Sequence, residues 1–442
     1  MKWESLLSPQ RLGSEKKKIE NWDYARSQFQ RDYDRIIFSS PFRRMQNKTQ
    51  VFPLPGSVFV HNRLTHSLEV ASVGRSLGNM LFLKLKEMDD LQNVFLLSEL
   101  GAVVSSACLA HDLGNPPFGH SGEKAISRYF THGEGKKLEA ELTPEQWSDF
   151  IAFEGNANAF RALTHQFKGR RAGGFALTYS TLASVVKYPY SSCAPLKKFG
   201  FFQSESPIYQ SIADELGITQ QSKEPLNYAR HPLVFLVEAA DDICYQIMDI
   251  EDAHKLKILT TDETQALLSA FFQGDVNFEK EKTTVFSNVT DINEQITYLR
   301  AKVINKLVNE CIDIFLSDYQ NIMEGIRYES LIDGLTGHTN AAMKTCINIA
   351  INKIYNHRTV VEIELTGYNV LGTLMNEFID AVLHPQDNYS KKLTSLLPGQ
   401  FKSSGTETYG SIQSVLDFIS GMTDIYALEL YRKIKGIEIS RI

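Results

Sequence analysis

The chain has 442 residues, 43% of them hydrophobic and 22% charged, a composition typical of a soluble globular protein. This length exceeds what a buried core requires and allows one large domain or two to three smaller ones. The formal net charge of -6 argues against an obligate nucleic-acid coat, because no basic excess is available to neutralise phosphates.

Cysteine usage and hydropathy narrow the class further. The five cysteines are odd in number, widely spaced and without a C-x-x-C pair, so neither a disulfide framework nor a zinc-thiolate site is expected. Residues 1–18 contain no apolar signal-peptide core, and no later segment reaches membrane-spanning length without a charge. We therefore expect a cytoplasmic protein that makes no contact with a membrane.

Helical periodicity dominates the chain. Residues 64–86 carry apolar side chains and one histidine at steps of three and four, which is one face of a helix. That face consists of His66, Val70, Val73, Leu77 and Leu81. Further helices are predicted at 97–112, 231–255, 296–326, 372–383 and 410–434.

Strand signals are few. Residues 359–367, "TVVEIELTG", alternate between apolar and polar side chains, and residues 50–60 could form a hairpin around Pro55 and Gly56. We therefore predict a mostly α-helical fold with minor β-hairpin elements.

A potential metal site emerges from four residues on three predicted helices. His66 lies on the apolar face described above, and His111 and Asp112 follow a helix that Gly114 and two prolines must end. Asp241 continues an apolar face, with Asp242 beside it as the alternative, and a buried carboxylate requires a cation or donors to compensate it.

The chemistry of this set suits a divalent cation such as Mg²⁺, Mn²⁺ or Fe²⁺, because imidazole and carboxylate ligands without thiolates do not demand zinc. A histidine on an apolar face is nevertheless more often a satisfied core residue, and Asp112 could simply bond a loop amide. The spacing alone leaves the metal site and this plainer interpretation about equally open.

Two further pairs carry potential chemistry. His120 and Glu123 are three apart at a helix start, so Glu123 could orient the imidazole as an acid/base group or merely complement the helix dipole. Tyr245 and Asp249 follow Asp241 at steps of four, either as a core tyrosine with polar neighbours or as a stacking surface with a hydroxyl acceptor.

These residues resemble the HD superfamily, whose metal ligands are one His, an adjacent His-Asp and a later Asp. Over residues 26 to 253 the chain is similar, more closely, to the deoxyguanosinetriphosphate triphosphohydrolase family. The segments that carry this resemblance, in order, are "RSQFQRDYDRIIFSSPFRRMQNKTQVFPLPGSVFVHNRLTHSLEV", "HDLGNPPFGHSGE", "FEGNANAFR", "VVKYPY" and "EAADDICYQIMDIEDA". The last third resembles the family less, through "VEIELTGYNVL" alone.

The resemblance implies an all-α HD-domain core, roughly residues 50–255, within one helical unit of residues 1–442 that ends in a helical region of roughly 256–442. The implied metal ligands are His66, His111, Asp112 and Asp241, and the implied catalytic pair is His120 with Glu123. Substrate contacts are implied for Gln50, Arg63, Asn156, Lys187, Tyr188, Tyr245 and Asp249.

The implied reaction is metal-dependent hydrolysis of a deoxynucleoside triphosphate to the deoxynucleoside and inorganic triphosphate. A phosphodiesterase or (p)ppGpp hydrolase on the same scaffold, or a non-catalytic nucleotide or single-stranded DNA sensor, stays open as an alternative. The family also implies a homo-oligomer, often a hexamer, and a nucleotide or single-stranded DNA effector. Arg170 and Arg171, in a glycine-flanked loop, could bind phosphate or DNA, or be a solvated loop.

Overall fold

The computed structural model describes residues 1–14, 26–52, 60–87, 94–402 and 407–438. Twenty-one α-helices and one two-stranded sheet form the regular structure of these residues. The all-α prediction is therefore confirmed.

The first twelve helices are α1 (Trp3–Leu6), α2 (Gln28–Ile37), α3 (Ser40–Arg44), α4 (Arg63–Glu87), α5 (Val94–Leu97), α6 (Leu100–Ala110), α7 (Gly119–His132), α8 (Pro144–Ile151), α9 (Gly155–Thr164), α10 (Tyr179–Val185), α11 (Ser206–Leu216) and α12 (Pro232–Lys255). The others are α13 (Thr261–Ser269), α14 (Val276–Asn288), α15 (Ile292–Ser317), α16 (Tyr319–Glu324), α17 (Gly337–Ile349), α18 (Arg358–Leu383), α19 (Asn388–Ser395), α20 (Thr408–Ser420) and α21 (Asp424–Ile434). Short 3-10 turns lie at Met45–Asn47, Glu134–Glu141, Gln203–Glu205, Ala270–Phe272, Ile332–Gly334 and Gly399–Phe401, and Ala350–Ile354 is a π-helical turn.

The sheet is an antiparallel hairpin of β1 (Gln220–Lys223) and β2 (Leu226–Tyr228). This hairpin lies elsewhere in the chain than the one predicted at 50–60. Of the predicted hairpin, residues 53–59 lie outside the described part of the chain. That prediction is therefore neither confirmed nor contradicted.

The strand predicted at 359–367 is wrong, since these residues form the first turns of α18. Their burial follows the helical step of three to four, with Val360 and Gly367 buried while Val361 and Leu365 are exposed. Gly367 lies against Phe118, where an added Cβ would approach the phenylalanine Cβ to 2.9 Å. Packing against α7 and the turn before it therefore overrides the β-branched composition.

The predicted helices at 296–326 and 410–434 each divide into two. The break in the first falls at Asp318, between α15 and α16, and the break in the second spans 421–423, between α20 and α21. Apolar periodicity continues through both breaks, which is why the pattern predicts one helix in each case.

Buried side chains form two clusters. One surrounds α4, α6 and α12, and α6 is so central that every residue except Ala102 is buried. The other packs α7 and α8 against α18, α20 and α21. The division of the chain near residue 255 remains a prediction, because each cluster contains residues from both sides of it.

An ion network joins α9 to the C-terminal helices. The Arg161 guanidinium donates from Nε and Nη2 to both carboxylate oxygens of Asp417, at 2.7 and 2.8 Å, and from Nη1 to Glu205 at 2.6 Å. All three side chains are buried, so each charge depends on the others for compensation. Among the described helices, none has the length and apolar character needed to cross a lipid bilayer.

Replacing Arg161 with Met tests this network. The substitution leaves Asp417 and Glu205 buried without their cation, and we expect it to lower the free energy of unfolding by about 3–5 kcal/mol. Thermal and denaturant unfolding would measure the loss. The matched control, Arg358→Met, removes an exposed pair with Glu362 on α18 and should hardly change the transition. Equal effects of the two substitutions would contradict the assigned role of Arg161.

Candidate active site

The first metal-ligand candidate is placed by a helix cap. Asn62 Oδ1 accepts from the Thr65 amide at 3.0 Å, and Thr65 Oγ1 accepts from the Asn62 amide at 3.1 Å. This reciprocal pair starts α4 at Arg63 and puts His66 on its first turn. Arg63 and His66 are three residues apart, share one helix face and are both buried.

His111 follows the last residue of α6, where backbone carbonyls lack helical partners. Its Nδ1 lies 2.6 Å from the Cys108 carbonyl oxygen and donates to it, because a carbonyl can only accept. The Nε2 of the neutral ring is consequently left with its lone pair. An imidazole fixed in this tautomer is the usual arrangement for a metal ligand.

Asp241 of α12 completes the cluster. Its Oδ1 lies 3.1 Å from His66 Nε2 and 3.4 Å from His111 Nε2. One ligand atom from each residue lies within 4.8 Å of the others, an arrangement that could hold a metal ion. The carboxylate of Asp241, rather than that of Asp242, therefore lies in the cluster.

Asp112 lies at the edge of this cluster. Its Oδ1 is 3.6 Å from His111 Nε2, while its Oδ2 accepts from Arg63 Nη1 at 2.7 Å and Oδ1 also accepts from Asn115 Nδ2. In this arrangement three of the four predicted ligands come together, and the fourth is shared with Arg63.

Electrostatics make the cluster a site for positive charge. Burial opposes a charged His111, but the carboxylates of Asp112 and Asp241 raise its pKa to about 9. Burial likewise opposes ionised Asp241, yet His111 and His66 hold its pKa well below the usual range. The nearby Cys108 thiol has a raised pKa because it is buried. Two imidazoles and two carboxylates, with no thiolate among them, fit a hard or borderline divalent cation.

In the turn after His111, the position of Gly114 has no room for a side chain. A Cβ on Gly114 would approach the Ala159 backbone nitrogen to 2.0 Å, and Asn158 Nδ2 donates to the Gly114 carbonyl at 2.6 Å. The turn ends at Phe118, which adopts a φ of +64° before α7 begins. Close packing on α9 thus explains the glycine that follows the His-Asp pair.

Arg63 connects the metal-ligand cluster to His120. Its Nη1 reaches Asp112, and its Nη2 lies where a Cβ on Gly119 would come within 2.6 Å. His120 follows Gly119 and is exposed on the first turn of α7. Desolvation by the surrounding protein, with the positive charges of Arg63 and Lys198, lowers the pKa of His120 to about 4.

Glu123 does not make the contact that its spacing allows. No hydrogen bond joins it to His120 in the described structure; its Oε1 lies against Gly155, where an added Cβ would be 2.6 Å away. Burial and the neighbouring Glu154 carboxylate raise the pKa of Glu123 to about 8. Glu123 therefore keeps its proton to a higher pH than an ordinary glutamate does.

Two lysines lie near Tyr188, and the charge of one of them, Lys198, acts on His120. Lys187 pairs with Glu238 at 3.2 Å, and although burial opposes its charge, Glu238 raises the pKa of Lys187. Lys187 and Lys198 lie over the Tyr188 ring, 5.8 and 5.6 Å from its centroid. Sequence reasoning missed Lys198, because it lies in an irregular stretch and no motif marks it.

Asn156 and Gln50, two candidate substrate contacts, differ in whether another residue already forms a hydrogen bond with the side-chain amide. Asn156 Nδ2 donates to Glu154 Oε1 at 2.5 Å and so has a protein partner. Gln50 Oε1 is buried and has no hydrogen-bond partner among the described residues. A buried amide oxygen without a donor is costly, so Gln50 is available to a ligand hydroxyl.

Tyr245 and Asp249 both contact Tyr355, a residue that no sequence motif marks. Tyr355, just after the π-helical turn, donates its hydroxyl to Asp249 Oδ2 at 2.7 Å, and its ring centroid lies 5.9 Å from that of Tyr245. Burial raises the pKa of Asp249 to about 8. No pattern links Tyr355 to this pair, because 106 residues separate it from Asp249.

The Arg170–Arg171 loop borders a different cavity. Arg170 Nη2 donates to Gln400 Oε1 at 2.9 Å, and both arginines, with Arg35 and Arg44, line a space of about 610 Å³. The candidate catalytic and metal residues do not line this cavity. The loop is therefore separate from the metal-ligand cluster.

Comparison with known families matches two parts of the chain. The family model described as the HD domain matches residues 63–171, which include the cluster residues of α4 and α6 and both members of the His120–Glu123 pair. A second model, described as a phosphohydrolase-associated domain, matches residues 335–433 and so covers α17 to α20 and nearly all of α21. The two matches indicate a phosphohydrolase scaffold, and the His–Asp cluster within it could hold a metal ion.

Curated relatives match over nearly the full length. A deoxyguanosinetriphosphate triphosphohydrolase-like protein of Synechocystis sp. is 38% identical, over 99% of this chain and 100% of the relative. A protein of the same description from Pseudomonas aeruginosa is 39% identical over 99% of both chains. The deoxyguanosinetriphosphate triphosphohydrolase of Salmonella typhimurium is 29% identical over 93% of this chain and 94% of its own. The chain belongs to the deoxyguanosinetriphosphate triphosphohydrolase-like family of HD-domain proteins.

Proposed function

We propose that the protein hydrolyses deoxynucleoside triphosphates, dGTP among them, to the deoxynucleoside and inorganic triphosphate. The observation that carries this proposal is the position of Arg63, which lies between the His–Asp cluster and the start of α7, where His120 stands. A phosphorus bound at Arg63 would have the metal ligands on one side and an imidazole on the other. The Salmonella relative, named for this activity, supports the substrate class.

His66, His111, Asp112 and Asp241 would hold the cation, for which Mg²⁺ or Mn²⁺ is proposed and Fe²⁺ is a third candidate. When bound, it would polarise a phosphoryl oxygen and lower the pKa of a coordinated water. Arg63 would then exchange part of its contact with Asp112 for phosphate oxygens, which a guanidinium binds in the same forked geometry.

The rest of the triphosphate would face Lys187 and Lys198, with Tyr188 and Asn156 beside them. A triphosphate carries about four negative charges, and these ammonium groups supply charge that a neutral substrate would not need. Lys187 already compensates Glu238, so its ammonium is held in place before any ligand arrives. The arrangement therefore favours a long polyphosphate over a single phosphate ester.

In the proposed reaction, water oxygen bonds to the α-phosphorus and the bond from that phosphorus to the 5′-oxygen breaks. One proton of the water ends on the 5′-oxygen, and the other leaves with the triphosphate or solvent. His120 is neutral at pH 7 and can carry a proton at one of these two oxygens. Glu123 would support the α7 start from its position against Gly155.

The deoxyribose would contact Gln50, Tyr245 and Asp249. Gln50 offers an unpartnered oxygen, and Tyr355 holds Asp249 beside the Tyr245 ring. If another sugar hydroxyl donates to the Gln50 oxygen, this packed wall would leave no room for an added 2′-hydroxyl, which supports discrimination against ribonucleotides.

Product analysis tests the reaction directly. Incubation with each dNTP and with GTP, in Mg²⁺ and in Mn²⁺, should release equimolar deoxynucleoside and triphosphate from at least one dNTP. His120→Ala should lose at least about a hundredfold in rate, because proton transfer by a positioned side chain contributes this much. The control His132→Gln, an exposed histidine on the same helix, should keep the parental rate. Release of a deoxynucleoside monophosphate and pyrophosphate would contradict the proposal.

Metal binding can be measured without substrate. Asp241→Asn should weaken Mn²⁺ binding at least about a hundredfold by calorimetry, because even residues behind the ligands change affinity 10–100-fold. The neighbouring Asp242→Asn is the control, since its carboxylate is outside the cluster. Unchanged Mn²⁺ affinity in Asp241→Asn would show that the cluster is an ordinary buried ion network.

The charge around His120 makes a pH prediction. Desolvation, together with the charges of Arg63 and Lys198, disfavours the imidazolium, so the imidazole should be neutral at pH 5.5 in the free protein. Added inorganic triphosphate, or the Lys198→Met substitution, should raise the pKa of His120 and increase its protonation at pH 5.5. NMR of labelled histidine, assigned with His120→Gln, measures this. Lys391→Met on α19 is the control, and an unmoved His120 signal under both treatments would contradict the prediction.

Regulation and assembly are also proposals. A nucleotide or single-stranded DNA effector could occupy the cavity lined by Arg35, Arg44, Arg170 and Arg171, whose guanidinium groups suit phosphates. Membership of the family supports a homo-oligomer, with a hexamer as one form.

A further inference from the structure

Asp424, from the C-terminal part of the chain, reaches two separate segments of the candidate active site. It is 8% exposed and is the first residue of α21. Its Oδ2 accepts from the Thr49 amide at 2.8 Å, and its Oδ1 accepts from the Phe118 amide at 3.0 Å. One carboxylate therefore binds two backbone segments that are 69 residues apart in the sequence.

Each of these amides lies within two residues of a candidate site residue. Thr49 precedes Gln50, and Phe118 is two residues before His120. Phe118 has a φ of +64°, a conformation that side-chain-bearing residues seldom adopt and keep only where their surroundings enforce it. The position of the His120 turn thus depends on contacts from outside the turn.

Lys48 adds a second connection between the same parts. Its ammonium is buried and donates to the Asn115 carbonyl and to the Ser420 carbonyl, each at 2.6 Å. Ser420 ends α20, so the 48–50 segment, the 115–118 turn and the start of α21 meet at one place. Two independent sets of hydrogen bonds fix the same geometry.

Asp424 is not needed merely to begin its own helix. Thr423 is the N-cap, and its side chain already accepts from the Tyr426 amide at 3.2 Å. Both carboxylate oxygens of Asp424 are directed instead at amides of other segments. A purely local capping role would leave these two bonds unexplained.

We propose that Asp424 is a positioning residue for the hydrolysis, which sets the distance between the sugar contact Gln50 and the acid/base group His120 by binding the Thr49 and Phe118 amides together. This inference rests on the proposed function. It adds a role for the C-terminal helices, which would act on the reaction through the backbone without touching the substrate.

The test compares Asp424→Asn and Asp424→Ala with the parent enzyme. The asparagine has nearly the same shape, but its amide nitrogen cannot accept, so one of the two backbone donors loses its partner. We expect kcat to fall about tenfold in the asparagine variant and about a hundredfold in the alanine variant, since displacements near 1 Å have effects of this size. The KM for the dNTP should change less than kcat.

Asp149→Asn is the matched control. Asp149 is also fully buried and also accepts from a backbone amide, that of Gln203 at 2.8 Å, and from the Tyr409 hydroxyl at 2.6 Å. It joins α8 to α20 without contacting the 48–50 or 115–118 segments. Its replacement can lower the melting temperature but should leave kcat per folded molecule unchanged.

Hydrogen exchange gives a readout that does not require turnover. In Asp424→Asn, exchange should accelerate in peptides covering Thr49 and Phe118, with the rest of the described chain unchanged. Parental kcat in Asp424→Asn, or an equal loss of kcat in Asp149→Asn, would overturn the inference. If the parent hydrolyses no dNTP, the proposed function fails, and exchange alone then decides whether Asp424 holds the two segments: unchanged local exchange would overturn this as well.

Discussion

The carboxylate of Asp241 is the constraint around which the helical core is arranged. The Asp241 side chain is only 27% exposed, and a charged oxygen withdrawn this far from water between α4, α6 and α12 is unfavourable without compensating partners. The imidazoles of His66 and His111 lie against this oxygen, one from the first turn of α4 and the other from the end of α6. Three helices distant in the chain must therefore meet at one point, and the apolar residues of α6 and α12 pack around that meeting point.

Arg63 links the metal-ligand cluster to the turn that carries His120. Its guanidinium is buried between Asp112 and Gly119, so the cationic side chain and the cluster form one continuous polar region inside an apolar core. Each polar group there is set by a backbone feature nearby: a reciprocal cap before α4, a carbonyl at the end of α6 and a packed glycine after it. Local rules of helix ends thus produce a site whose parts come from distant sequence.

Much of this could be predicted from the sequence, because helix periodicity and the motifs around His66, His111 and His120 are local signals. Long helices such as α4 and α12 agree with the predicted spans within a few residues. The strand at 359–367 fails because β-branched residues carry a propensity that a tertiary contact, Gly367 against Phe118, reverses.

The site residues that the sequence did not reveal have no local sequence signal that marks them. Tyr355 and Asp424 reach the site through contacts made across 106 and 306 residues, and no periodic pattern encodes such a pairing. Lys198 lies in an irregular stretch where side-chain direction cannot be read from spacing. Conversely, the predicted contact between Glu123 and His120 has correct spacing but is not made, because Glu123 packs against Gly155 instead.

The contact between Gly367 and Phe118 limits which chimeras of related proteins can fold correctly. Because Gly367 has no side chain, α18 comes directly against the Phe118 side chain, and the two surfaces fit each other. Ser121 of α7 adds a hydrogen bond to Glu364 of α18. A chimera that joins the N-terminal half of one relative to the C-terminal half of another would have to inherit both surfaces from a single parent. The C-terminal helices therefore cannot be exchanged as an independent module, because they form part of the surface on which the His-Asp turn packs.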